Sequence, residues 1–290
     1  MNAALGKHTD VCPVWCMRQA GRYLPEFREM RKEYDFFSMC NTPEVAAEIT
    51  AQPMKRAPID ALVIFSDILI VPQAMGMECK MVPGKGPVFP VPLGLPADLA
   101  ARDPPLSMRP DASACFAPLY AAIKETIRIT DNDLPILGFC GGPWTLLSYM
   151  AEGGGSKSHS VAKTWLYAHP EAAHRMMAAI ADTCVDLLVG QWLAGASALQ
   201  VFESNAGEVP PGLFRRAVLP HLRRIVKGVR ARVPAPTDGG PPMILFARGA
   251  QYALEWLDQE EEEDARFDVL SLDWTVDPAE GAKRIQRAAV

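Results

Sequence analysis

Histidine is scarce in this chain, with five among 290 residues (His8, His159, His169, His174 and His221), and none has a neighbour at metal-ligand spacing. No His-x-Cys occurs either, so neither a zinc site nor a zinc-thiolate site has support. There is no Gly-x-Gly-x-x-Gly after a strand pattern, no phosphate-loop Lys-Ser/Thr motif and no lysine placed for pyridoxal phosphate, so the chain reads as needing no cofactor. Gly153-Gly154-Gly155 lacks the partner residues of a phosphate cradle and reads as a flexible turn. No charged-then-apolar signal pattern occupies residues 1–10, and no apolar stretch looks long and uninterrupted enough to span a bilayer. The expectation is a cytosolic protein with no membrane partner. A net charge of −5 argues against a general nucleic-acid binder, so affinity for an anion must come from a local cluster such as Arg18 to Lys32. The 7 cysteines are scattered, odd in number and without zinc-ligand pairing, and they read as reduced buried thiols.

What the chain does have is 49% hydrophobic and 22% charged residues, enough for a large core and suited to one α/β barrel domain over residues 1–290. Apolar runs ending in polar or glycine residues alternate with helical patterns, the sequence form of repeated strand-crossover-helix units and a parallel sheet. Six such strands are expected: Val14 to Arg18, Ala61 to Asp67, Ile136 to Gly141, Ala198 to Glu203, Met243 to Ala247 and Val269 to Asp273. Thr42-Pro43-Glu44 starts a helix through Arg56 with Thr as N-cap, and Pro170 starts another. Met176, Ile180, Cys184, Leu187 and Leu188 recur at helical spacing on the latter and form a core-facing stripe. Lys80 to Pro96 is a long excursion rich in Pro and Gly, of the kind that serves as a lid. Glu260 to Asp264 reads as a solvated insertion and Pro234 to Pro242 as a surface loop. A closed barrel has eight strands, so the fold expected is a TIM-type (β/α)8 barrel, incomplete with about six of eight units. Its open edges would lie at Val14 to Met17 and Val269 to Leu272, and they would invite aggregation.

Chemistry in parallel sheets sits at the carboxyl ends of the strands, which places Arg18, Asp67, Gly141, Ser204 and Arg248 on one rim. The first of these ends delivers guanidinium groups into a glycine-containing turn. Arg18, Arg22, Arg28 and Arg31 read together as a polycarboxylate clamp, with a loop of surface ion pairs as the other reading. Asp67 ends the apolar run Leu62-Val63-Ile64-Phe65, where a carboxylate is partly desolvated. It is either a helix cap or structural ion pair, or an electrostatic centre for chemistry. Tyr149 and Ser204 on their own are as consistent with packing and capping.

The run Pro13-Val14-Trp15-Cys16-Met17-Arg18-Gln19-Ala20-Gly21-Arg22-Tyr23-Leu24-Pro25-Glu26-Phe27-Arg28 closely resembles the N-terminal signature of the uroporphyrinogen decarboxylase family. Further blocks resemble that family in its order: Phe65-Ser66-Asp67-Ile68-Leu69, Met81 to Pro87, Gly138 to Thr145 running into Tyr149 to Gly155, Phe202 to Gly207, and Leu272-Asp273-Trp274-Thr275. The resemblance implies a barrel that forms homodimers and converts uroporphyrinogen III to coproporphyrinogen III with release of CO2 and no cofactor. It assigns Asp67 to the pyrrole N–H groups at the macrocycle centre, Arg18 and Arg22 to carboxylate binding, and Tyr149 and Ser204 to carboxylates near the reacting arm. It extends substrate contact to Gln19, Ala20, Arg31, Phe65, Phe139 and Phe202. Catalysis on this reading falls to Asp67, Arg18 and Tyr149. The family continues past the sixth strand with two more strands and an active-site histidine, whereas this chain would end inside the following helix, at Gln286 to Val290. Two alternatives therefore stand: an inactive truncated member, and a related barrel methyltransferase, against which the missing His-x-Cys speaks.

Overall fold

The computed structural model describes residues 1–17, 19–259 and 262–289. Its strands are β1 (Leu62–Val63), β2 (Lys80–Val82), β3 (Gly86–Val88), β4 (Ile136–Gly141), β5 (Ala198–Phe202), β6 (Met243–Phe246) and β7 (Val269–Ser271). Five of them form one parallel sheet in the order β1-β4-β5-β6-β7, with helices in the crossovers. Strand alternation divides the apolar residues between two faces. Leu199, Val201, Met243, Leu245 and Leu270 join a core covered by helices, while Ala61, Leu137, Ala198 and Ile244 form a second cluster with Trp15, Val63 and Val269. Of the six expected strands, five are present; β4 has the expected bounds, and the other four end one to four residues earlier than the sequence suggested.

Val14 to Met17 is not a strand, and Arg18 lies outside the described residues. Two features account for the difference. Pro13 has no N–H for a ladder, and the outer edge of β1 is already occupied by the Gln19 carboxamide. That side chain donates to Ala61 O at 2.6 Å and accepts from Val63 N at 2.8 Å. Val14 contributes only a bracket around Asp60, donating to its carboxylate at 2.7 Å and accepting from its N–H at 2.8 Å. A second glutamine does the same work inside the sheet. After Ile64 the chain leaves β4, and Gln191 takes the vacated position, accepting from Phe139 N and donating to Phe139 O, both at 2.9 Å. Gly138 makes room for it, since a Cβ there would sit 2.6 Å from Gln191 Oε1.

The helix Pro43–Ala51 begins at its proline as expected and passes into a 3₁₀ turn, Gln52–Lys55. Thr42 does not cap it, because its hydroxyl donates to Ser38 O at 2.8 Å. The helix Pro170–Leu193 buries Met176, Ile180, Cys184, Leu187 and Leu188. By length and composition it is apolar enough to cross a membrane, contrary to the sequence reading, but 67% of its most apolar window is buried inside the protein, as in a core helix. The Lys80 to Pro96 excursion is an antiparallel β2–β3 hairpin, tied to the glycine turn by Phe89 N donating to Gly153 O at 2.8 Å. Cys40, Cys79, Cys140 and Cys184 are buried, while Cys12 and Cys16 in the N-terminal loop and Cys115 at the end of the short helix Ala112–Cys115 are exposed, contrary to the expectation of buried thiols.

The last described residues are not helical. The helix Pro278–Arg284 stops, and Ala289 forms a parallel bridge to Val269 on the outer edge of β7. The buried carboxylate of Asp258 holds this segment by accepting from the N–H groups of Gln286, Arg287 and Ala288 at 2.8 to 2.9 Å. Of the acidic run, Glu260 and Glu261 lie outside the described residues, and Glu262 pairs with Lys227.

Candidate active site

The carboxyl edge of the sheet gathers Asp67 after β1, Gly141 at the end of β4 and Gly142 after it, Ser204 after β5, Arg248 after β6 and Asp273 after β7. Asp67 is half-buried, and its Oδ1 accepts from Leu69 N at 2.7 Å, a local turn of the kind Asp favours. The other oxygen accepts no hydrogen bond from a described residue, and no described cation forms an ion pair with Asp67. Burial therefore raises its carboxyl above the ordinary range, with the Leu69 N–H pulling the other way. The charge acts on three neighbours. Tyr149 is pushed up first by burial and then by Asp67, with Arg248 opposing. The buried thiols of Cys40 and Cys79 are raised in the same way, by burial and then by Asp67, Cys79 to about 11. A carboxylate with no ion-pair partner among the described residues, near enough to a phenol and two neutral thiols to raise their pKa, is an arrangement suited to holding developing positive charge or N–H donors.

Tyr149 and Ser204 owe their placement to a residue that the sequence reading did not single out. Glu203 is fully buried at the end of β5, and it caps the N-terminus of the helix Pro143–Glu152 that carries Tyr149. Its carboxylate accepts from Trp144 N at 3.1 Å, Thr145 N at 2.7 Å and the Thr145 hydroxyl. Burial pushes its carboxyl up to about 7 against these three hydrogen bonds, which favour the ionised form. The same bolt continues from Asn205 N to Thr145 Oγ1 at 3.0 Å and from Trp144 Nε1 to Asn205 O at 2.9 Å. Gly142 is required here, since a Cβ would lie 2.3 Å from Glu203 Oε2. The signal available in sequence was a helix opening Gly-Gly-Pro-Trp-Thr with no carboxylate of its own in the first turn.

Aromatic rings divide into two sets. Phe139, Phe202 and Phe246 run along β4, β5 and β6 edge to face, with centroids 5.5 and 6.2 Å apart. Phe65 does not join them. It packs against Phe27 and Phe36 at 5.8 and 5.9 Å, because the chain has left the sheet by that point. The basic turn is likewise split. Arg22 and Arg31 are exposed, but Arg28 donates from Nη1 to Arg22 O at 3.1 Å and so holds the turn itself. Asp35 is lowered first by its hydrogen bonds from Ser38 and least by the charge of Arg31, and the Gln19 carboxamide is committed to β1. Ala20 is half-buried next to it. A cavity of about 890 Å³ lies elsewhere, between the helices Pro170–Leu193 and Leu219–Arg230. Its cations Arg224, Arg232 and Lys227 pair with Asp182, Asp186 and Glu262. No group of three or more His, Cys, Asp or Glu that could hold a metal occurs among the described residues.

Comparison with known proteins places the chain by its sequence and its fold. The family model for uroporphyrinogen decarboxylase matches residues 1–290. The uroporphyrinogen decarboxylase of Homo sapiens is 50% identical over 96% of this chain and 73% of its own length, and that of Dictyostelium discoideum is 43% identical over 96% and 73%. Among solved structures, a methyltransferase from Methanosarcina mazei superposes with a TM-score of 0.72 at 19% identity, covering 99% of this chain and 79% of the other, which shows a shared fold. With its sequence matched end to end and its carboxyl-edge rim in place, the chain belongs to the uroporphyrinogen decarboxylase family.

Proposed function

We propose that this chain removes the acetate carboxyl groups of uroporphyrinogen as CO2 and releases coproporphyrinogen, as its family implies. The observation that carries the reading is Asp67: a half-buried carboxylate on the sheet's carboxyl edge, with one free oxygen and no paired cation among the described residues. Loss of CO2 from an acetate arm leaves an electron pair that needs an acceptor. A pyrrole ring protonated beside its arm becomes electron-poor and takes that pair itself, so the substrate supplies the sink that other enzymes borrow from a cofactor. The C–C bond breaks and its electrons return the ring to neutrality with an exocyclic methylene; a proton delivered to that methylene completes a methyl group, and the proton first added to the ring leaves to restore the neutral pyrrole.

In this scheme Asp67 accepts the pyrrole N–H groups and offsets the positive charge on the activated ring. Tyr149 and Ser204 meet carboxylates near the reacting arm, and the row of Phe139 and Phe202 meets a face of the macrocycle. Arg18, outside the described residues, and Arg22 grip peripheral carboxylates with a planar fork that Lys cannot reproduce. A homodimer and a cytosolic setting complete the proposal. The test is direct: supply the chain with enzymatically generated uroporphyrinogen under anaerobic conditions and follow CO2 and the seven- to four-carboxyl products. Stepwise conversion is expected, and recovery of unchanged substrate from folded protein would contradict the reading.

A further inference from the structure

At the far end of the rim, β6 stops at Phe246 and Arg248 follows two residues later. Its backbone is locked from two sides. Its carbonyl accepts from Gly207 N at 2.9 Å, and the next N–H, that of Gly249, donates to the Asp273 carboxylate. The loops after β5 and β6 touch closely enough that a Cβ on Gly207 would lie 3.0 Å from Gly249 Cα, and Gly249 adopts φ +75, which favours glycine. Three strand-end loops thus fix one residue while its side chain remains exposed.

That side chain has no hydrogen-bond or ion-pair partner among the described residues. Arg224, Arg230 and Arg284 pair with Asp182, Asp268 and Glu255, but Arg248 forms no ion pair with a described residue. Asp273 lies near enough to feel its charge, yet its oxygens are taken by the N–H groups of Gly249 and Thr275. Toward the site, the Arg248 charge reaches Tyr149 and the buried ring of His159. A substrate with carboxylates around its periphery requires cations at more than one place. The turn carrying Arg22 follows Gln19, whose side chain sits on the edge of β1, and β6 lies three strands from β1, roughly 14 Å at ordinary strand spacing.

We propose that Arg248 is a substrate-binding residue whose guanidinium takes a peripheral carboxylate of the tetrapyrrole at the β6 end of the rim, opposite the N-terminal arginines. This rests on the decarboxylase reading above and adds a contact to it. The test uses uroporphyrin, the oxidised and unreactive octacarboxylate, titrated by fluorescence against the wild-type chain, Arg248→Gln, Arg248→Lys and the exposed control Arg128→Gln. Loss of one charge-assisted contact should raise the Kd of Arg248→Gln by about tenfold to a hundredfold. Its melting temperature should not change, Arg248→Lys should fall between, and Arg128→Gln should match wild type. If wild type binds and Arg248→Gln binds equally well, this proposal fails and the decarboxylase reading stands. If wild type itself binds no uroporphyrin, both fail. A fall in melting temperature that accounts for the lost affinity in both Arg248 variants would make the residue structural and overturn the proposal.

Discussion

Glu203 and His221 are buried groups whose charge states oppose each other, and each gives a signed dependence of stability on pH. Glu203 has a folded pKa raised to about 7 by burial, above the ordinary carboxylate value. The folded protein therefore holds that proton more tightly than the unfolded chain. The contribution is full below about pH 4.5 and declines as pH rises through about 7. Comparing wild type with Glu203→Gln by thermal melting from pH 5 to 8 should show wild type losing its relative advantage as pH rises; a constant difference would contradict the raised value. His221 runs the other way. Burial, then His174 and Arg224, lower it to about 4, with Asp182 opposing, and its ring bonds to His174 at 2.9 Å. Stability is retained above about 6.5 and lost as pH falls toward 4. His221→Gln should flatten that acid limb of the melting curve, and an unaltered limb would show that other groups govern it. Neither residue was legible in sequence, because Glu203 stood inside a motif read for Ser204 and Phe202. Its role appears only when β5 and the helix after β4 meet. Asp67, by contrast, was legible, since a carboxylate closing a four-residue apolar run is informative on its own.

At the level of elements, periodicity located five strands and the two proline-started helices but not the places where strands stop pairing. Strand ends depend on what fills the neighbouring position, and here two side-chain carboxamides fill it. Val14 to Met17 has the composition of a strand, but with Gln19 on the edge of β1 it has nothing left to pair with. Gln191 holds Phe139, a residue of the aromatic row, to the long helix. Gln191→Leu leaves one N–H and one C=O of β4 without partners. The cost should be about 2–6 kcal/mol in urea unfolding, the sum of two unsatisfied buried groups. A variant as stable as wild type would show that β4 does not need the bracket.

For the whole molecule, the decisive feature is a parallel sheet with two outer edges, one occupied by a glutamine side chain and the other by residues near Ala289. Strand counting points to two exposed edges and passes over both coverings, because neither is a strand in its own right. Asp258 controls the second. With three backbone N–H groups on one buried carboxylate, Asp258→Ala should free residues 286–289. Amide exchange of these residues and of β7 should accelerate together, whereas unchanged protection would place the hold elsewhere. An edge released in this way also predicts self-association that increases with protein concentration.

The account turns on the charge of Asp67 at the centre of the rim, and the substitution Asp67→Asn keeps the shape while removing it. Measured in one preparation beside wild type, the rate of CO2 release from uroporphyrinogen should fall by on the order of a hundredfold or more. The melting temperature should hold or rise, because a desolvated carboxylate has been neutralised. A folded Asp67→Asn protein that turns over at the wild-type rate would contradict the account.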